Sequence, residues 1–158
     1  MSNPIGVSFR SHGDTIAGHL YLPADTSKPV PGIVMAGGWC YVKELRQPQY
    51  AQEFVDRGFA ALIFDYRHMG ASDGEPRQHI DPWDQIEDYR AAISWVAALP
   101  EVDESRIGVW GISYSGGHSL IVGARFVVKV EGTKVESLDV LKNFANLVDL
   151  QKLGSLKK

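Results

Sequence analysis

Arg106-Ile-Gly-Val-Trp-Gly-Ile-Ser-Tyr-Ser-Gly-Gly-His118 is the stretch from which the rest of the chain can be read. An apolar run, Ile107 to Trp110, enters Gly111-Ile112-Ser113-Tyr114-Ser115-Gly116, and an apolar helical pattern from Tyr114 to Ala124 leaves it. Small residues on both sides of Ser113 allow a sharp strand-to-helix turn that lifts the hydroxyl above the strand ends. The N–H groups of the helix start then favour negative charge developing beside it. The segment reads as a site of acyl chemistry with Ser113 as nucleophile. Ser115, flanked by Ser113 and Gly117, is the alternative, and the length of the preceding strand favours Ser113.

Outward from this turn, the chain alternates strands and helices. Val7 to Ser11 and Ile16 to Leu22 alternate in polarity around His12-Gly13-Asp14 and predict an edge hairpin. A proline-bearing loop, Pro23 to Pro31, precedes the apolar run Gly32 to Ala36, which ends in Gly37-Gly38. Gln49 to Arg57 predicts a short helix with Tyr50, Phe54 and Val55 on one face, and Phe59 to Phe64 a strand covered on both faces. After a loop from Met69 to Pro82, Asp81 is placed to cap a helix, Pro82 suits its first position and Asp84 its first turn. Ile86, Tyr89, Ile93, Val96 and Leu99 follow at helical spacing, and Pro100 ends the helix. This order predicts an α/β fold of three layers, α/β/α, around a shortened, mostly parallel sheet. Ligands of such sheets bind at the strands' carboxyl ends. Gly37-Gly38-Trp39, Arg67-His68-Met69 and Ser113-Tyr114 all stand on that edge.

Composition narrows the function classes. The chain has 158 residues, 44% hydrophobic and 22% charged, which suits a globular domain with a sizeable core. A net charge of -3 points neither to nucleic acid nor to a membrane surface. The first residues show no signal-peptide pattern, and no apolar run is long enough to span a bilayer. One cysteine, Cys40, excludes an internal disulfide and fits the cytoplasm. No Cys/His cluster has zinc spacing and no phosphate-loop motif is present, so no metal site is expected.

Four motifs together resemble the N-terminal half of an α/β-hydrolase: Ile16-Ala-Gly-His-Leu-Tyr-Leu-Pro23; Ala36-Gly-Gly-Trp39 with Lys43-Glu44; Phe64-Asp-Tyr-Arg-His-Met-Gly-Ala-Ser72; and Gly111-Ile-Ser-Tyr-Ser-Gly-Gly117. The resemblance is nearest to the dienelactone-hydrolase-like and X-prolyl-peptidase- and cocaine-esterase-like serine hydrolases, and it covers about Ser8 to Ala124. It implies that Ser113 is the nucleophile and that the N–H groups of Tyr114 and Trp39 form an oxyanion hole. The implied reaction is hydrolysis or acyl transfer on a small ester, lactone, thioester or amide through an acyl-Ser113 intermediate, with no cofactor. Two positions depart from the family pattern. Gly37-Gly38 replaces its His-Gly pair, and Ser115 stands where Gly-x-Ser-x-Gly has its second glycine.

In the family, the acid and then the histidine of the triad follow the serine. Here the only later histidine is His118, five residues on in a helix leading away, and the later aspartates are Asp139 and Asp149. His68, on the correct sheet edge, is a candidate substitute base. The alternative function is therefore a truncated or fused non-catalytic remnant lacking the triad acid and histidine. The composition also breaks near residue 125. Residues 1–124 carry seven arginines and two lysines, whereas residues 125–158 carry one arginine and six lysines and no Trp, Tyr, His, Cys, Met or Pro. Within 125–158, Phe126 to Val130 predicts a strand. Leu138, Leu141, Phe144, Leu147, Val148 and Leu150 predict an apolar helical stripe. The reading favoured for that helix is packing on the same domain, with a homodimer contact as the alternative. Elsewhere, Asp65 and Arg67 are expected to pin a loop by ion pairing, and Trp83, Trp95 and Trp110 to pack in the interior. Cys40 is expected to be a small buried residue, and Asp84, Glu87 and Asp88 to form a solvated helix face. The Trp39 side chain is expected either to pack over the strand ends or to line an acyl pocket.

Overall fold

The computed structural model describes residues 3–123. The strand and helix expected within 125–158, and the dimer contact read from that helix, lie outside the described residues. Five strands and three helices follow in the order β1 (Ile5–Ser11), β2 (Asp14–Tyr21), β3 (Val30–Ala36), α1 (Gln47–Val55), β4 (Ala60–Phe64), α2 (Pro82–Ala97), β5 (Val102–Gly111) and α3 (Tyr114–Gly123). The sheet order is β1-β2-β4-β3-β5. β4, β3 and β5 are parallel, and the hairpin adds two antiparallel pairings, β1 with β2 and β2 with β4. The sheet is thus mixed, with its parallel portion at the end that carries Ser113.

The central strands have apolar residues throughout because both of their faces are covered. From β3 and β4, Val34, Ala36, Leu62 and Phe64 point into a core closed by Ile86, Tyr89, Ala92 and Val96 of α2 and Val122 of α3. The alternating residues Ile33, Met35, Ala61 and Ile63 meet Ala51 and Val55 of α1 on the other face. This is the period-two alternation of a strand used twice. α2 starts as its sequence dictates: the Asp81 carboxylate accepts hydrogen bonds from Trp83 N (2.8 Å) and Asp84 N (3.3 Å).

The topology places the crevice. β3 leads to α1 on one face, and its neighbour β5 leads to α3 on the other. Loops leaving adjacent strands toward opposite faces open a gap at the strands' carboxyl ends, where α/β sheets bind ligands.

Several single-residue expectations are corrected. Asp88 is fully buried, not part of a solvated face, because it pairs with Arg67. Asp65 and Arg67 do form ion pairs, as expected: Asp65 pairs with Lys43, and Arg67 with Asp88 and Asp84. Trp83 is 64% exposed, because the first turn of α2 precedes its buried stripe, whereas Trp95 and Trp110 pack against the two cores. Cys40 is exposed, at the tip of the turn closed by Tyr41 N donating to Gly38 O (2.9 Å).

Because the Asp81 carboxylate satisfies two otherwise orphaned N–H groups, Asp81→Ala is expected to lower the unfolding free energy by about 1 kcal/mol in urea titrations, with an unchanged dependence on denaturant.

Candidate active site

Ser113 occupies the step between β5 and α3 with φ of +57°. A non-glycine residue held there is strained, by about 1 kcal/mol or more, and persists only where its surroundings over-determine it. The surroundings are tight. A Cβ on Gly111 would fall 2.2 Å from the Ser115 carbonyl oxygen, and one on Gly38 would fall 2.8 Å from the Ile112 carbonyl oxygen. The absence of side chains at these two positions lets α3 fold back on β5 and lets the loop after β3 lie directly on the serine turn. Gly116 N donates to Ser113 O (3.0 Å) and begins the first turn of α3. Ser113 is exposed, and among the described residues its hydroxyl has no hydrogen-bond partner.

Ser115 is the opposite case. It is fully buried; its Oγ accepts from Ile112 N (2.8 Å) and lies within donating distance of Ala36 O (3.0 Å) and Ile112 O (2.9 Å). The sequence leaves two serines open as reacting groups, but the structure exposes one and engages the other.

Trp39, with φ of +49°, is 55% exposed. Its ring meets Tyr114 edge to face at 4.9 Å, so the two aromatic side chains flank the serine turn. Neither the Trp39 nor the Tyr114 N–H takes part in a loop or cap hydrogen bond among the described residues. At Gly37, where the family pattern has histidine, a Cβ would fall 2.6 Å from both Gln47 Nε2 and Tyr41. Buried Gln47 thus occupies the space an imidazole would need, and the loop stays filled without one.

The loop is also anchored by charge. Asp65, fully buried, accepts from Lys43 N (2.7 Å), Lys43 Nζ (2.7 Å) and Ala71 N (2.9 Å). Lys43 reaches Glu44 as well (2.7 Å). Burial pulls the Lys43 ammonium down, but the Asp65 and Glu44 carboxylates outweigh it and hold it above its ordinary value.

The histidines do not converge on Ser113. His118 is buried; its Nε2 lies 2.8 Å from Gln85 Oε1, and the rings of Tyr66, Tyr89 and Tyr114 pack edge to face around it. Burial pulls its pKa below the ordinary 6.5. His68, with φ of +68°, is buried in its own loop. Its N–H donates to Asp73 O (2.7 Å), its carbonyl accepts from Gln78 N (2.8 Å), and its ring stands edge to face on His79 at 5.4 Å. Among the described residues no hydrogen bond joins either histidine to Ser113. Nor, among the described residues, do three or more His, Cys, Asp or Glu side chains gather to hold a metal ion, and no helix is long and apolar enough to cross a membrane.

Two expectations follow from these buried groups. Lys43→Met strands the Asp65 carboxylate without its cation and should cost about 3 kcal/mol in urea unfolding. Asp65→Ala should cost more, because it also orphans two backbone donors. For His118, the folded state binds its proton less readily than the unfolded state. Its contribution is therefore full above the ordinary pKa of 6.5 and is lost as pH falls from there through the lowered folded value. Urea midpoints should drop from about pH 7.5 to about pH 5.5, and His118→Leu should flatten that drop.

Comparison with known proteins gives the chain's family. The family model described as X-Pro dipeptidyl-peptidase (S15 family) matches residues 12–135. The quorum-quenching protein AidA of Acinetobacter baumannii is 40% identical over 121 residues, which are 77% of this chain and 40% of that protein. The thiohydrolase aneE of Aspergillus aculeatus is 41% identical over 108 residues, 68% of this chain and 33% of that one. The crystal structure of the α/β hydrolase GrgF from Penicillium superposes with a TM-score of 0.73 at 32% identity, over 77% of this chain and 42% of that chain. The chain thus spans less than half the length of each of these proteins. With the strand order, the serine turn and the family match in agreement, the chain belongs to the X-Pro dipeptidyl-peptidase (S15) family of α/β-hydrolases.

Proposed function

We propose that this chain carries the nucleophile and oxyanion hole of a serine hydrolase or acyl transferase. Ser113 Oγ attacks the carbonyl carbon of a small ester, lactone, thioester or amide, and the serine proton is passed on to the leaving oxygen, sulfur or nitrogen. The carbonyl oxygen becomes an oxyanion between the N–H groups of Trp39 and Tyr114. Collapse expels the protonated alcohol, thiol or amine and leaves acyl-Ser113, which water or a second acceptor resolves. The carrying observation is the strained, exposed Ser113, whose hydroxyl has no hydrogen-bond partner among the described residues, in a turn whose neighbouring loop lies against it. The buried, fully engaged Ser115 argues against that residue as nucleophile. The name of the thiohydrolase relative favours a thioester among the substrates, and that of the quorum-quenching relative leaves the acyl group open. The proposed partner is a small acyl molecule. A lone cysteine fits a reducing cytoplasm.

One observation favours a second reading, in which this chain keeps the turn but does not turn over substrate. Its only histidine after Ser113 is held by Gln85 under the Tyr114 ring. His68 faces His79 and its own loop, which weakens it as a substitute base.

A fluorophosphonate probe separates the two. The proposal expects covalent labelling at Ser113 that Ser113→Ala abolishes and His68→Ala leaves intact. A folded protein that takes up no label belongs to the second reading.

A further inference from the structure

We infer that two buried hydroxyls, Tyr89 Oη and Ser115 Oγ, set the spacing between the oxyanion loop and the serine turn, and so act as positioning residues for the reaction proposed above. β3 and β5 end opposite each other, with Ala36 beside Gly111. The ladder ends at this pair, so backbone groups at the sheet's end need other partners. Tyr89, in the middle of α2, accepts from Ala36 N (3.1 Å) and donates to Trp110 O (2.9 Å), bridging the two strands through one oxygen. Ser115 accepts from Ile112 N (2.8 Å) and reaches Ala36 O (3.0 Å) and Ile112 O (2.9 Å), joining the same Ala36 to the residue just past β5. Both polar backbone groups of Ala36 therefore meet side-chain hydroxyls rather than water.

The placement is what gives these bonds a functional consequence. Trp39 lies three residues beyond Ala36, and Ser113 lies two beyond Gly111. Any slip between Ala36 and Ile112 moves the Trp39 N–H relative to the Ser113 hydroxyl, and an oxyanion donor acts only when it meets the developing charge at hydrogen-bond distance. Both side chains are fully buried, so water cannot readily replace either hydroxyl. Burial pushes the Tyr89 phenol up to about 12, which keeps it a donor at any working pH. The departure of Ser115 from the glycine of Gly-x-Ser-x-Gly thereby gains a physical reason: a glycine would leave Ile112 N and Ala36 O without the hydroxyl that joins them.

The inference rests on the reading of Ser113 as nucleophile, and two measurements keep the two claims separable. In the full chain, Tyr89→Phe and Ser115→Ala are expected to lower the maximal rate of fluorophosphonate labelling at Ser113 about tenfold while the probe's apparent affinity stays within about twofold. Ser94→Ala, on the exposed side of the same helix, should change neither. Unchanged maximal rates in both variants, or label found on Ser115, would overturn the inference. The second measurement needs no reactivity. Amide NMR signals of Trp39 and Tyr114 should shift in both variants while those of Phe9 and Ile16 in the hairpin stay in place, which also reports folding. If the unsubstituted chain takes no label, the reading of Ser113 fails and the amide signals alone decide. Shifts confined to Ala36 and Ile112 would mean a local brace with no reach to the oxyanion loop, and the inference falls. Should one variant not fold, the other carries both measurements.

Discussion

The Asp65 carboxylate, with no access to solvent, holds together the edge of the sheet on which any chemistry must occur. It stands just past β4 and accepts from the backbone and ammonium of Lys43 in the loop after β3, and from Ala71 in its own loop. A buried carboxylate without partners would cost several kcal/mol, so the loops that supply those partners cannot leave without exposing the fold to that penalty. The loop after β3, with Trp39 in it, is therefore fixed by a charge at the carboxyl end of its neighbour strand. Arg67 repeats the device two residues later, pairing with buried Asp88 of α2 (2.7 Å) and donating to Ser11 of the hairpin (2.9 Å). An edge that has to stay open to a ligand cannot be stiffened by apolar packing alone, and here ionic and hydroxyl contacts beneath the loops do that work.

What the sequence reveals, and what it hides, divides along the range of the interactions involved. The runs Gly32 to Ala36 and Phe59 to Phe64 announce doubly covered strands because periodicity is local, and Asp81-Pro82 announces α2 because capping involves only its own N–H groups. The serine turn is legible for the same reason: Gly111 and Ser115 are four residues apart, and a side chain on the first would strike the carbonyl of the second. Asp88 was hidden because an acidic residue one turn from Asp84 looks solvated until Arg67, 21 residues earlier, is brought against it. The roles of Ser115 and Tyr89 were hidden likewise, since their shared partner Ala36 lies 79 and 53 residues away. Gln47 gave no sign that it would fill the place of an absent imidazole; a glycine pair where a histidine is usual was the only hint of a vacancy needing an occupant.

Strain in this molecule is not evenly distributed. Five non-glycine residues among those described have positive φ, and three of them, Trp39, His68 and Ser113, stand just past the carboxyl ends of β3, β4 and β5. Each costs of order 1 kcal/mol or more, and a glycine would relieve it at the price of a side chain. A sheet edge shaped by stability alone has no use for a tryptophan, a histidine and a serine in those conformations. One shaped to point side chains and N–H groups into a crevice does, and the buried ion pairs and paired hydroxyls lie where that strain must be resisted. The arrangement holds the proposed nucleophile and the proposed oxyanion donors as a single unit. Among the described residues no hydrogen bond joins Ser113 or Trp39 to His118 or His68; His118 touches this unit only through its ring, against Tyr114, which in turn meets Trp39. On the proposed mechanism, proton abstraction is a separate requirement: a group that meets it has to approach Ser113 from the open side of the crevice, since the buried side is already taken by Ser115.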